Sequence, residues 1–178
     1  MTQDEKAKHI VQRYIYWSMG AGLIPVPFVD LAAVFGIQVK MLYDLSKEYE
    51  LAFSKSRVKS LVSSLVGGAV PTAAGGALST LAFGSLAKTL PYIGTMVGVV
   101  TVPVFCGAST YALGRVFTQH FASGGTFLDF DPAAVREYYR TQFEAGKLVA
   151  REMAAEMKKN AGAAAESEPA SAATASHN

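Results

Sequence analysis

Cys106, Ser109 and His120 are the residues whose types could supply a nucleophile and its base. A thiol or hydroxyl is activated when an imidazole can take its proton, and that transfer needs a separation of about 3 Å. Ser109 and His120 would share a helix face, but eleven residues of helix hold them about 16 Å apart. The spacing predicts small residues in a packed helix and an interfacial histidine, not a catalytic pair. Metal ligation is no better served, because His9, His120 and His177 are scattered along the chain. Asp129 and Asp131 could approach His120 across a glycine loop, although helix capping explains Asp131 more simply. Gly84-Ser-Leu-Ala-Lys88-Thr89 vaguely resembles a phosphate-binding loop, but it lacks the second glycine before the lysine. The expectation is a protein without catalytic residues, metal or cofactor.

The elements around these residues are dominated by two stretches without a charged side chain. Ser60–Ala87 has 28 residues and Thr89–Gly114 has 26, with Lys88 alone between them. A bilayer core about 30 Å thick takes roughly 20 helical residues to cross, so each run is long enough. Together they read as a helical hairpin suited to lipid or to a deeply buried core. Every fourth residue of the first run is small: Ser60, Ser64, Gly68, Thr72, Gly76, Thr80 and Gly84. Such spacing lets helix backbones approach closely in lipid, and Gly94 and Gly98 repeat it in the second run. Pro71 and Pro103 are expected to kink the two helices, and Pro91 suits the turn after Lys88.

The flanks are polar and amphipathic. Residues 1–59 hold eight basic and six acidic side chains, and residues 115–178 hold seven and eight. A net charge of +2 with interspersed signs argues against a nucleic-acid footprint. The one cysteine excludes an internal disulfide, and the charged N-terminus makes a poor secretory signal.

A first helix is expected over 3–19, its apolar face carrying Ile10, Val11, Tyr14, Ile15 and Trp17. Tyr14, Tyr16 and Trp17 suit an interfacial belt, and core burial is the simpler reading. Gly20, Gly22, Pro25 and Pro27 end that helix. A second follows over 28–50, with Leu31, Val34, Phe35, Gln38, Val39, Leu42 and Leu45 on one stripe. Asp30 is either its cap or a binding residue, and Ser54 reads as the cap of the next helix. After Ser123-Gly124-Gly125, Asp131-Pro132 reads as the start of a helix over 132–159. Residues 160–178 are rich in Ala, Ser and Glu and are expected to be disordered.

Lys55, Arg57 and Lys59 before the first run and Arg115 after the second make both outer ends basic. The positive-inside rule then puts both termini in the cytoplasm. Lys88 in the turn can snorkel to the interface.

Several segments resemble the bacterial domain-of-unknown-function family 697, the YcjF-like, GTPase-associated membrane proteins. They are Gly22-Leu-Ile-Pro-Val-Pro-Phe-Val-Asp30, Ile37-Gln-Val-Lys-Met-Leu-Tyr43, and Gly67-Gly68 through Pro71 to Gly75-Gly76. The most specific run is Gly107-Ala-Ser-Thr-Tyr-Ala-Leu-Gly-Arg115, continuing through Gln119-His-Phe121 to Gly124-Gly-Thr-Phe-Leu-Asp-Phe-Asp131. The resemblance implies a helical, membrane-associated module linked to a GTPase in trans, and it brings no catalytic residues.

The chain is thus expected to be all-α: a single helical domain over 1–159 containing a Gly/Ala-rich apolar hairpin at about 60–114. Its function is read as a non-enzymatic partner-binding module of the bacterial inner membrane. Asp30, Arg115, His120 and Asp129 are its candidate interaction residues. The rival readings are a soluble or peripheral bundle with reversible lipid insertion, and a homo-oligomeric pore or transport component.

Overall fold

A computed structural model of the chain describes residues 1–22, 29–68 and 102–167, with the side chains of 29–31, 68 and 164–167 excepted. The described residues form five α-helices and no strand: α1 (Gln3–Ala21), α2 (Val29–Glu48), α3 (Lys55–Gly68), α4 (Val102–Ala122) and α5 (Arg136–Ser167). The all-α expectation holds.

Local signals set most of the helix ends. Thr2 and Glu5 form a reciprocal capping box at the start of α1, the Thr2 amide donating to Glu5 Oε2 at 2.7 Å. At the end of α2, the Leu51 amide reaches the Ser46 carbonyl and the Glu50 amide reaches that of Lys47, with Glu50 at φ 55°. The same two-bond closure ends α4 at Gly124, φ 85°, a conformation glycine adopts without Cβ strain. Ser54 precedes α3, and its carbonyl accepts the Val58 amide.

Helix α4 is the centre of the bundle, packed by α1 and α5, with α2 and α3 completing the wall. One core joins Val11, Tyr14 and Ile15 of α1 and Met41, Leu42 and Leu45 of α2 to Val58 and Val62 of α3, Leu113 and Phe117 of α4, and Tyr139 and Ala150 of α5. Glycines make the crossings close. A Cβ on Gly146 would stand 2.9 Å from the Ala108 carbonyl oxygen, and one on Gly114 would meet the Val11 side chain at 2.5 Å. At one end, Ala21 of α1, Ala33 and Val34 of α2 and Phe105 and Cys106 of α4 form a smaller apolar cluster.

Three expectations change. First, the described part of each uncharged run is core of the bundle. Val58, Leu61, Val62 and Leu65 of α3 are buried, and so are Val104, Cys106, Ala108, Ser109, Thr110, Ala112, Leu113 and Gly114 of α4. An uncharged helix covered by neighbours on several sides serves as core. No described helix is long and apolar enough to cross a membrane. Residues 69–101 lie outside the described residues, and with them Thr72, Gly76, Thr80, Gly84, Gly94, Gly98, Pro71, Lys88 and Pro91. Pro103, expected to kink a span, falls in the first turn of α4, where a missing amide breaks no intrahelical bond.

Second, α5 begins at Arg136 and not at Pro132. Asp131 Oδ1 accepts the Ala133 amide at 2.9 Å and closes a separate turn, and the Arg136 amide then turns back to the Ala133 carbonyl. Third, residues 160–167, expected in the disordered tail, continue α5 to Ser167. Alanine is the strongest helix former, and extending an existing helix avoids the cost of nucleation.

The glycine crossings make a paired prediction. Gly146→Ala pushes a methyl into the Ala108 backbone and is expected to cost about 1–3 kcal/mol. Gly36→Ala, in the interior of α2 with open space around it, is expected to stabilise by up to about 1 kcal/mol. Thermal melts followed by circular dichroism read both.

Candidate functional site

The residues expected to bear chemistry are drawn into two separate structural networks. The first is buried in the middle of the bundle. Gln38 of α2 donates from Nε2 to Ser109 Oγ at 3.1 Å and to Thr110 Oγ1 at 3.3 Å, both on α4. Thr110 pairs with Ser18 of α1 at 2.7 Å, and Ser109 pairs with Tyr139 of α5 at 3.1 Å. None of the five is more than 2% exposed. Burial pushes the Tyr139 phenol well above its ordinary range, with the Ser109 hydrogen bond opposing. A neutral tyrosine in a dry hydroxyl–amide chain fits a structural tie between four helices.

The second network lies in the loop between α4 and α5. His120 Nε2 faces the Thr126 carbonyl oxygen at 2.9 Å and Asp129 Oδ1 at 3.9 Å. A carbonyl only accepts, so the ring donates there. Asp129 also accepts from the amide and hydroxyl of Thr126. These bonds, the side-chain one first, hold its carboxyl below the usual range. The loop folds over Phe117, which stacks on Phe130 at a ring separation of 4.4 Å. Phe121 and Phe127 close the cluster at 5.0 Å. A Cβ on Gly125 would stand 2.4 Å from the His120 ring, so the ring would have to move off its Thr126 contact. Arg57 of α3 fastens the loop from outside, donating to the Leu128 carbonyl at 3.1 Å.

Ser109 and His120 are therefore engaged by different partners in different places. Among the described residues, no three His, Cys, Asp or Glu side chains converge as a metal site would need. Asp129 approaches His120, and the loop's own hydrogen bonds account for it. Asp30 falls in the first turn of α2, and its side chain lies outside the described residues. Arg115 is half-buried on α4, its Nε without a hydrogen-bond partner. Gly68 ends α3; nothing described tests the small-residue ladder to which it belongs. The glycines that set described helix crossings are Gly107, Gly114 and Gly146. The run Gly107-Ala108 on α4, opposite Gly146 on α5, was the available signal.

The Gly107–Arg115 segment and the Gly124–Asp131 loop, conspicuous in the sequence, are thus the middle of the bundle and its aromatic cap. Residues 1–148 match the family model described as Domain of unknown function (DUF697). The chain belongs to DUF697. This DUF697 protein is 39% identical over 153 residues to Magnetosome membrane protein 22 of Magnetospirillum gryphiswaldense, covering 86% of this chain and 76% of the relative. No solved structure matches it.

An ion-pair cluster centred on Asp44 lies on the α1–α2 face of the DUF697 bundle. Asp44 accepts from Tyr14 OH at 2.6 Å, from Arg13 at 3.3 Å and from Lys40. Burial alone would raise the Asp44 carboxyl; the Lys40 and Tyr14 hydrogen bonds and the charges of Lys40 and Arg13 hold it below its ordinary value.

A carboxyl depressed on folding contributes stability above its unfolded value, about 3.9, and loses it as pH falls through the folded value. The Tm difference between wild type and Asp44→Asn is expected to be largest near neutrality and to shrink below about pH 4. In the buried network, Gln38→Leu strands hydroxyls on α4 and is expected to cost about 1–3 kcal/mol, measured by denaturant unfolding.

Proposed function

We propose that this DUF697 protein is a membrane-associated helical module that acts by binding a partner and carries no active site of its own. The carrying observation is that α3 and α4 pack into one core while the apolar segment 69–101 runs between them. Such a segment must return to the side of the membrane it leaves. The relative that bears a membrane-protein name supports a lipid role for this segment. The basic residues Lys55, Arg57, Lys59 and Arg115 all belong to the bundle or its edge, which favours the cytoplasmic face of the inner membrane for both termini.

Length favours a shallow, re-entrant entry over two full crossings. With 102–114 committed to α4, only the thirteen residues 89–101 remain after Lys88. As a helix they would reach about 20 Å, against a hydrocarbon core of about 30 Å.

The partner-binding half of the reading comes from the family resemblance; Ser109, His120 and Asp129 are each hydrogen-bonded within the fold. A GTPase acting in trans is the partner proposed from the family resemblance. Its contact would lie on the polar faces of the bundle.

Carbonate extraction of membranes tests the lipid half. The full chain is expected in the pellet, and a variant with 69–101 replaced by a short Gly/Ser linker in the supernatant. Equal partitioning of the two would refute the assignment. Cross-linking in membranes followed by mass spectrometry tests the partner half: recovery of a GTPase supports it, and consistent recovery of none removes it.

A further inference from the structure

At one end of the bundle the described side chains of α1, α2 and α4 carry no charge. Asp30, in the first turn of α2, also belongs to this end, with its side chain outside the described residues. Helix α5 passes this end with Ala150 against Met19 and Gly107 and with the exposed Arg151, Glu152 and Glu156 following. The C-terminal turns of α1 and the N-terminal turns of α4 meet there, a Cβ on Gly22 coming 3.2 Å from Pro103 Cα. The N-terminal part of α2 joins them through Ala33, Val34 and Ile37. Going towards this end, α1 has no charge after Arg13, and described α2 side chains have none before Lys40. α4 has no charge before Arg115, and its start receives the segment 69–101. Among the described residues of α1, α2 and α4, those exposed at this end include Trp17, 54% exposed, Ala32, Gly36 and Val102.

Immediately behind the uncharged zone stands a cationic layer. Arg13, one helical turn before Trp17, holds its guanidinium 5.8 Å from the Trp17 ring centre. Lys40 lies across the Asp44 carboxylate from it. Both cations are about half exposed, whereas Asp44 is mostly covered by its partners. An aromatic ring backed by snorkelling cations is the arrangement that favours a bilayer interface, with the ring at headgroup level and the cations against phosphate. Acidic Glu156 lies at this level too, but against Tyr16 on the α5 side. The contact is therefore tilted onto the α1–α2 face.

We infer that this end of the bundle lies on an anionic lipid surface, with Trp17 in the interface and Arg13 and Lys40 facing lipid phosphates. This deepens the membrane reading of segment 69–101 and rests on it. The occupant is lipid because the apolar end, the cation layer and the return point of segment 69–101, uncharged but for Lys88, coincide. A second copy or a protein partner would explain the exposed ring but not that coincidence.

Trp17 is the sole tryptophan of the chain, so its emission reports on this one place. The full chain is placed in nanodiscs of phosphatidylcholine and phosphatidylglycerol, and co-elution with lipid is checked first. Emission is then quenched separately by acyl-brominated lipid and by aqueous iodide. The expected result is loss of most emission with brominated lipid and little with iodide. Co-elution with iodide quenching alone would overturn the inference and leave the membrane role of 69–101 standing. Co-elution with neither quencher effective places Trp17 against protein and also overturns it. Failure to co-elute defeats the membrane reading and this inference together. In the Arg13→Gln/Lys40→Gln variant, with an unchanged circular dichroism spectrum, lipid quenching is expected to weaken and to become indifferent to phosphatidylglycerol. Retention of the wild-type dependence would overturn the cationic contact.

Discussion

The fold depends on one buried amide. Gln38 sits on the apolar stripe of α2 and holds two hydroxyls of α4, which in turn hold Ser18 of α1 and Tyr139 of α5. The net gain from each such bond is only about 1 kcal/mol, because water offers the same bonds to the unfolded chain. The penalty for misalignment is larger. Rotating α2 by one residue turns its side chains by about 100° and strands the amide and its partners in a dry core, each at about 1–3 kcal/mol. The network therefore acts on register more than on stability: apolar packing makes the bundle compact, and Gln38 selects which compact arrangement is native.

That selection works only if the helices approach closely, since a glutamine amide and a serine hydroxyl have short reach. Gly107 lies directly before Ala108, Ser109 and Thr110, and a Cβ on it would meet Met19 at 2.7 Å and Ala150 at 3.0 Å. Gly146 gives the same closeness from the side of α5. The small residues of α4 thus have a reason that involves no lipid: they let side chains of three other helices reach one hydroxyl pair. About two turns further along α4, the fold changes material. Phe117, Phe121, Phe127 and Phe130 fill the wider end, and Arg57 and the Thr126–Asp129 bonds hold the aromatic lid in place.

Much of this was legible from the chain. The 3.6-residue periodicity located α1 and α2 within two residues at each end. Gln38 on an apolar stripe was a visible irregularity whose partners could not be named, since they lie 71 and 72 residues away. The start of α5 was misplaced because Asp131-Pro132 serves equally as a helix opening and as a turn, and the Ala133 amide chose the turn. The tail was misjudged because alanine cannot build a core but readily prolongs a helix already begun. Absence of charge was the most ambiguous signal. A helix surrounded by protein and one surrounded by lipid both exclude charge. For 102–114 the polar residues Ser109 and Thr110 favoured protein, because α2 and α5 offer them fixed partners.

The same ambiguity has a structural consequence at the end where α1 meets the start of α4. Cores of water-exposed bundles are normally closed by polar caps where helices meet solvent. Here the cluster of Ala21, Val34 and Cys106 continues the core towards the start of α4, and the chain beyond Val102 is still uncharged back to Thr89. From Leu113 in the bundle centre to Thr89, α4 and the sequence feeding it carry no charge that would mark a boundary. A protein interior and a hydrocarbon layer make the same demand on such a sequence, so one apolar run can pass from one to the other without a change of composition. On the neighbouring helices, Arg13 and Lys40 are the last exposed charges of the described α1 and α2 side chains before that end.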